Sequence, residues 1–228
     1  MRRHAWGWGL TGWLMASLTW AGNASPGPDG VLLASHSIQG RVAVRSWKTL
    51  RDERIVKQDL DYSCGAASLA TLLNAYYGQS VTEQELLVAM NKQDGRASFD
   101  DMARALAQRG FKAQGFAASW AQLVRLKMPV VVYLKHRKDD HFSVLRGISA
   151  EAVWLADSSL GNRTYSRAQF LEMWQTRADS ANAELAGKFL AVLPDGNGAQ
   201  ASADFFSKTV RRQSANAVMQ QAFRPAGP

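Results

Sequence analysis

Along the chain, the hydrophobic positions change period once. Behind a Pro/Gly-rich stretch, residues 31–34 and 41–47 alternate as strands do. From Ser63 the spacing turns helical: Leu69, Leu72, Leu73 and Tyr76 fall at i, i+3, i+4 and i+7, and Gly78 closes the run. A second helix is predicted from Thr82, where Glu85 completes a capping box, to Met90. A third opens at Ser98 with Asp101 in the matching place and stops at Gly110, and a short fourth covers residues 119–127, ending before Pro129. Beyond Pro129 the pattern is that of strands, over residues 130–135, 141–148 and 152–156. Ser166 then caps a short helix reaching Trp174, and residues 188–193 read as a last strand. Helices first and strands afterwards predict an α+β fold, with the N-terminal helices packed on an antiparallel sheet. From Asp195 the chain is polar and rich in small residues, with Phe205, Phe206, Val218 and Phe223 spaced as a loose amphipathic helix.

Composition narrows the class. A chain of 228 residues that is 46% hydrophobic and 20% charged is long enough for one well-cored domain with short extensions, and too apolar for a disordered one. Residues 1–24 read as an export signal: Arg2, Arg3 and His4 form a basic start, residues 5–20 an uncharged run, and Gly22 and Ala24 a small-residue cleavage site. A retained membrane anchor is the alternative, though a spanning helix wants about 20 apolar residues and this run is interrupted by Gly7, Gly9 and Gly12. Cleavage after Ala24 leaves 25 basic against 19 acidic side chains, so the net charge falls from +8 to +6. The basic residues are scattered, without zinc-finger spacing or a Walker-type glycine loop, so neither nucleic acid nor nucleotide is an expected partner. The expected division is a signal (1–24), a leader segment (25–50), a main folded domain (51–194) and a polar extension (195–228). The expected compartment is the periplasm, with membrane contact only through the N-terminal segment.

The single cysteine rules out an intramolecular disulfide framework and a multi-cysteine zinc site. Its position gives it another use. Cys64 is the first residue of its helix, where unpaired backbone N–H groups and the positive end of the helix dipole favour thiolate over thiol. Gly65 beside it is expected to leave the backbone open to an approaching carbonyl. His141 opens one predicted strand and Asp157 ends the next, with the intervening turn at residues 149–151. If those strands form a hairpin, positions summing to about 300 face each other, and His141 and Asp157 lie one diagonal step apart at its open end. A carboxylate there fixes the tautomer and orientation of the imidazole, which completes a nucleophile, base and orienter for acyl transfer. Gln58, on the strand-like stretch 54–58, is placed to donate to a tetrahedral oxyanion together with the Cys64 backbone N–H. Tyr62 and Trp120 are candidate lining residues of a substrate cleft, with core packing as the alternative. No cofactor is called for.

Three separated segments carry a resemblance. Gln58-Asp59-Leu60-Asp61-Tyr62-Ser63-Cys64-Gly65-Ala66-Ala67-Ser68-Leu69, His141-Phe142-Ser143-Val144 and Leu155-Ala156-Asp157 occur in the order found in the bacteriocin-processing, double-glycine leader peptidase family. This is a papain-like branch often fused to ABC exporters, and the similarity runs over about residues 52–193. It implies a papain-like cysteine peptidase fold with Cys64 as nucleophile, His141 as general base and acid, Asp157 as orienter and Gln58 as oxyanion donor. One position departs from the pattern: the family's aspartate is usually followed by proline, and Ser158 stands here, which loosens the turn and is expected to leave the chemistry untouched.

The stretch from Val56 to Leu73 is also similar to a peptidase-like component of bacterial functional-amyloid export systems. The resemblance therefore implies an exported endopeptidase acting through a thioester at Cys64. Its substrate would be a protein or peptide, such as an amyloid-forming precursor or another secretion-system component. The alternatives are a weakly catalytic or non-catalytic module that holds substrate for export, or a transglutaminase-like acyl transferase.

Overall fold

The computed structural model describes residues 30–34, 39–43, 45–92, 95–136, 139–177, 184–196 and 201–209. The export signal predicted over residues 1–24 lies outside them, as do Val218 and Phe223 of the predicted C-terminal amphipathic helix. The chain separates into two units, residues 1–45 and residues 46–228. In the first, strands β1 (Gly30–Ala34) and β2 (Gln39–Ala43) form an antiparallel pair. No described helix is long and apolar enough to cross a membrane.

The second unit begins with a short helix α1 (Trp47–Arg51), where the sequence pattern suggested the end of a strand. Helices α2 (Cys64–Tyr77), α3 (Glu83–Ala89) and α4 (Phe99–Ala107) follow. The predicted capping boxes form, Thr82 with Glu85 and Ser98 with Asp101, each satisfying two otherwise orphaned N–H groups. Gly78 ends α2 in the left-handed conformation, at φ +65°.

Next come β3 (Phe111–Ala118), α5 (Trp120–Val124), β4 (Val130–His136), β5 (Asp139–Ile148), β6 (Ala152–Asp157), β7 (Gly161–Ser166), α6 (Arg167–Trp174) and β8 (Gly187–Pro194). The strands form one six-stranded antiparallel sheet in the order β3-β8-β4-β5-β6-β7.

Both faces of the sheet are covered. Val131, Phe142, Val144, Ala156, Leu190 and Val192 point to the core shared with α2, α3 and α4. Their neighbours Val130, Val132, Leu134, Leu145, Leu155 and Phe189 point the other way, to a second core with Leu123 of α5 and with Phe170 and Trp174 of α6. That two-sided burial explains the unbroken apolar run of β4, since neither face has water to meet.

Helix α2 is buried on every side for its first ten residues, from Cys64 to Leu73. Its hydroxyls serve the surrounding backbone: Ser68 Oγ donates to the Phe142 carbonyl at 3.1 Å, Thr71 Oγ1 accepts from the Val56 N–H at 2.9 Å, and Tyr77 donates to the Val192 carbonyl at 2.6 Å. A buried backbone group left unpaired costs about 1–3 kcal/mol, so each hydroxyl both tethers the helix and removes a penalty.

Chain beyond Pro194 also packs on this domain. Residues 201–209 contain no helix, and Phe205 is fully buried in the core beside α2. Strand β5 shifts register between Leu145 and Gly147, and there Ser207 docks, its N–H donating to the Arg146 carbonyl and its own carbonyl accepting from the Ile148 N–H. The Arg146 guanidinium lies between the Trp154 and Phe205 rings, 4.0 and 4.6 Å from their centroids. Phe205→Ala should therefore lower stability by about 3–5 kcal/mol, read as a fall in the urea midpoint. A change below about 1 kcal/mol would show that the segment merely rests on the surface.

Candidate active site

Cys64 occupies the first position of α2, after Ser63, whose side chain makes no capping bond to the helix. The Ser63 hydroxyl is turned instead to Leu60, donating to its carbonyl at 2.7 Å and accepting from its N–H at 3.2 Å. Of the first-turn N–H groups, that of Gly65 donates to the sulfur, as does the Phe142 N–H of β5. Burial pushes the Cys64 thiol up. The hydrogen bond with His141, the Phe142 N–H, the charge on His141 and the Gly65 N–H together outweigh burial and hold the thiol below its ordinary value.

Gly65 plays a different part from the one expected. A Cβ there would stand 2.5 Å from Met102 Cε and 3.4 Å from both Ala97 Cβ and Phe142 Cδ2. The residue faces the interior, so its missing side chain lets α4 and β5 close on the start of α2 rather than opening a path for substrate.

The hairpin register follows the predicted sum of 300 toward its open end: Val144 pairs with Ala156 and Leu145 with Leu155. Continued by one residue, it sets Asp157 opposite Ser143 and puts His141 one diagonal step away. The two side chains meet there, His141 Nε2 to Asp157 Oδ2 at 2.7 Å. Asp157 Oδ1 accepts from the backbone N–H groups of Ser159 at 3.0 Å and Leu160 at 2.8 Å, which fixes the carboxylate from the other side. With Nε2 committed to Asp157, Nδ1 is the nitrogen left for Cys64.

Burial disfavours charge on His141, but its hydrogen bonds to Asp157 and Cys64 prevail and push it up to about 10. Burial likewise opposes the charge on Asp157. The His141 hydrogen bond and charge, with the Leu160 and Ser159 N–H groups, keep that carboxyl below its usual range. The shifts of Cys64 and His141 both run in the direction that favours the thiolate–imidazolium form of the pair.

Gln58 reaches the same place by a different route. Residues 55–58 form no strand. They are led in by Arg54, a non-glycine residue at φ +59° held by the Ala75 carbonyl, Ser202 and Asp204. Gln58 and His141 line one cleft of about 430 Å³ with Asp61, Arg96, Ser159 and Leu160. Two features of the site went unseen in the sequence pattern. Ser158 is buried and its hydroxyl donates to Gln58 Oε1 at 2.9 Å, so the departure from the family's proline does touch the candidate machinery. Arg96 braces the turn end of the β4–β5 hairpin through the Asp140 carbonyl and Asp139.

The two proposed lining residues part company. Tyr62 stays in the turn leading to Cys64, half-buried and packed against the core around α2. Trp120 instead packs on the opposite core, with its ring 6.1 Å from Phe170 and the Arg167 guanidinium 5.3 Å from its centroid. Among the described residues no group of His, Cys, Asp and Glu side chains is arranged to hold a metal ion.

Residues 52–179 match the Peptidase C39 family. The chain is 33% identical over 145 residues to the probable functional amyloid protease FapD of Pseudomonas aeruginosa, covering 59% of this chain and 64% of that protein, somewhat under two thirds of its length. Against the protein of the same description from Pseudomonas fluorescens it is 33% identical over 175 residues, covering 71% of this chain and 72% of that one. Its fold is similar to the peptidase domain of Streptococcus ComA, a bi-functional ABC transporter, with a TM-score of 0.52 at 18% identity, over 61% of this chain and 97% of that domain. It is also similar to a double-glycine motif protease from an AMS/PCAT transporter, with a TM-score of 0.50 at 23% identity, over 61% of this chain and 90% of that one. Papain-like in fold, with a cysteine, a histidine and an aspartate joined at its centre, the chain belongs to the Peptidase C39 family of cysteine peptidases.

Proposed function

We propose that this protein is an exported endopeptidase that processes a precursor or component of a functional-amyloid secretion system, cleaving through a thioester at Cys64. The observation that carries the chemistry is the 2.7 Å bond from His141 to Asp157, made on an imidazole that also hydrogen-bonds Cys64 at the start of α2. The two FapD relatives support the substrate class, and the basic, apolar start of the sequence supports export.

The steps follow from the geometry. The Cys64 thiolate attacks the scissile carbonyl carbon, and the carbonyl electron pair moves onto oxygen. The resulting oxyanion is met by the Cys64 backbone N–H and by Gln58 Nε2. Collapse expels the amine, which takes the proton from His141 and leaves a thioester on Cys64. His141, now neutral, removes a proton from water as it attacks the thioester. That proton restores the imidazolium, and collapse of the second tetrahedral intermediate breaks the C–S bond, expelling the Cys64 thiolate beside it and releasing the carboxylic acid. Asp157 keeps its charge throughout and holds the ring in place.

Mass spectrometry of the exported proteins, with wild type and with Cys64→Ala, should show one terminus that appears only with the thiol. Cys64→Ala and His141→Ala should each reduce that cleavage by at least ~10³-fold, and Gln58→Ala by about 10²–10³-fold. Intact cleavage with either of the first two would overturn the reading. The pH profile has a definite sign. Activity should already be present below the ordinary thiol value of about 8.5, because the thiol is depressed. It should fall again as pH rises through about 10, where His141 loses the proton it must give to the leaving amine. In His141→Ala the acid limb of iodoacetamide alkylation should move upward, since burial then acts on the thiol without its partner.

A further inference from the structure

Gln58 has no secondary structure of its own to hold it, yet an oxyanion donor is useful only if its N–H is in place before charge develops. The residue that holds it is the one directly after Asp157. Ser158 is 1% exposed and meets Gln58 twice: its carbonyl accepts from the Gln58 N–H at 3.2 Å, and its hydroxyl donates to Gln58 Oε1 at 2.9 Å. On the other end of the amide, Nε2 donates to the Leu60 carbonyl at 3.0 Å. A carbonyl can only accept, so Leu60 decides which end of the amide carries nitrogen, and the Ser158 hydroxyl complements that choice by donating to the oxygen. One Nε2 hydrogen is thereby committed to Leu60, and the second remains for a substrate oxygen. A donor on the amide oxygen also polarises the group and strengthens its N–H as a donor.

We infer that Ser158 is a positioning residue for the oxyanion hole, acting through Gln58. The inference rests on the oxyanion role proposed for Gln58. The three-residue turn after β6 would then set two parts of the machinery at once, with Asp157 orienting the base and Ser158 orienting the oxyanion donor.

The test compares reactions that build an oxyanion with one that does not. Hydrolysis of the p-nitrophenyl ester of N-acetylglycine passes through a tetrahedral oxyanion, and a peptide ending in glycinal forms a stable one on the thiol. Iodoacetamide alkylates the thiolate by displacement and forms none. Ser158→Ala should lower kcat for the ester about 5- to 20-fold with KM within about twofold, and weaken glycinal binding by a similar factor. The rate of alkylation and its pH profile should stay at wild-type values, which also shows that the variant is folded around Cys64. Ser158→Thr, which keeps the hydroxyl, should recover most of the loss. In a Gln58→Ala background, Ser158→Ala should change kcat less than about twofold, because the group it positions is gone.

A full additional loss in that background would overturn the inference, and so would an alkylation profile that shifts together with kcat. If Gln58→Ala lowers kcat and Ser158→Ala does not, the role of Ser158 fails alone. If Gln58→Ala leaves kcat unchanged, the oxyanion reading of Gln58 fails and this inference goes with it.

Discussion

The crossing of α2 over β5 is the constraint on which the rest of the molecule depends. The nucleophile is on the helix and the base is on the strand, so their separation is set by how closely the two elements pack. Ser68, one turn along from Cys64, donates to the carbonyl of Phe142, the neighbour of His141. Gly65 supplies the space, since a Cβ there would stand 2.5 Å from Met102 Cε and force that side chain to shift. A helix buried all round gains its stability from the core and cannot drift toward solvent, so a reactive thiol is kept in register by apolar packing as much as by polar contacts.

Burial also sharpens the electrostatics. Each member of the Cys64–His141–Asp157 series is penalised by burial for carrying charge, and in each the neighbours and, for the two acids, local N–H groups shift the balance back toward the charged form. The arrangement is cooperative: the thiolate favours the imidazolium, and the imidazolium favours both anions. The protonation states therefore belong to the set rather than to any single residue.

Much of this was legible in the chain itself. Caps at Thr82, Ser98, Ser119 and Ser166 are local signals, and the helices begin where those residues stand. The hairpin arithmetic that joined His141 to Asp157 needed only the positions of a turn and two strands, and the bulge falls beyond Leu145, where it leaves the site untouched. Strands β3 and β7 were not foreseen because they are the two edges of the sheet. The sequence of β3 carries a mid-strand Gly115 and that of β7 is largely polar, so pairing with a neighbour decides their conformation. Residues 54–58 resembled a strand, but Arg54 turns the backbone left-handed, held by contacts from distant chain that no local pattern reveals. Phe205 was misplaced for the same reason: the local pattern set it with Phe206 on an amphipathic helix, whereas its partners lie in α2 and β5. Trp120 shows the converse, an aromatic whose helix faces the far side of the sheet.

The turn between β6 and β7 has a consequence for how this fold can change in length. Asp157 pairs directly with Gly161, leaving three residues between the strands. Gly161 sits at φ +84°, against the backbone and side chain of Arg51. A residue gained or lost here would invert the pleat that follows or break the pairing that precedes it. It would displace an orienting carboxylate and a buried hydroxyl in one event. Insertions and deletions at this corner are therefore forbidden, even where individual side chains along the turn remain free to vary.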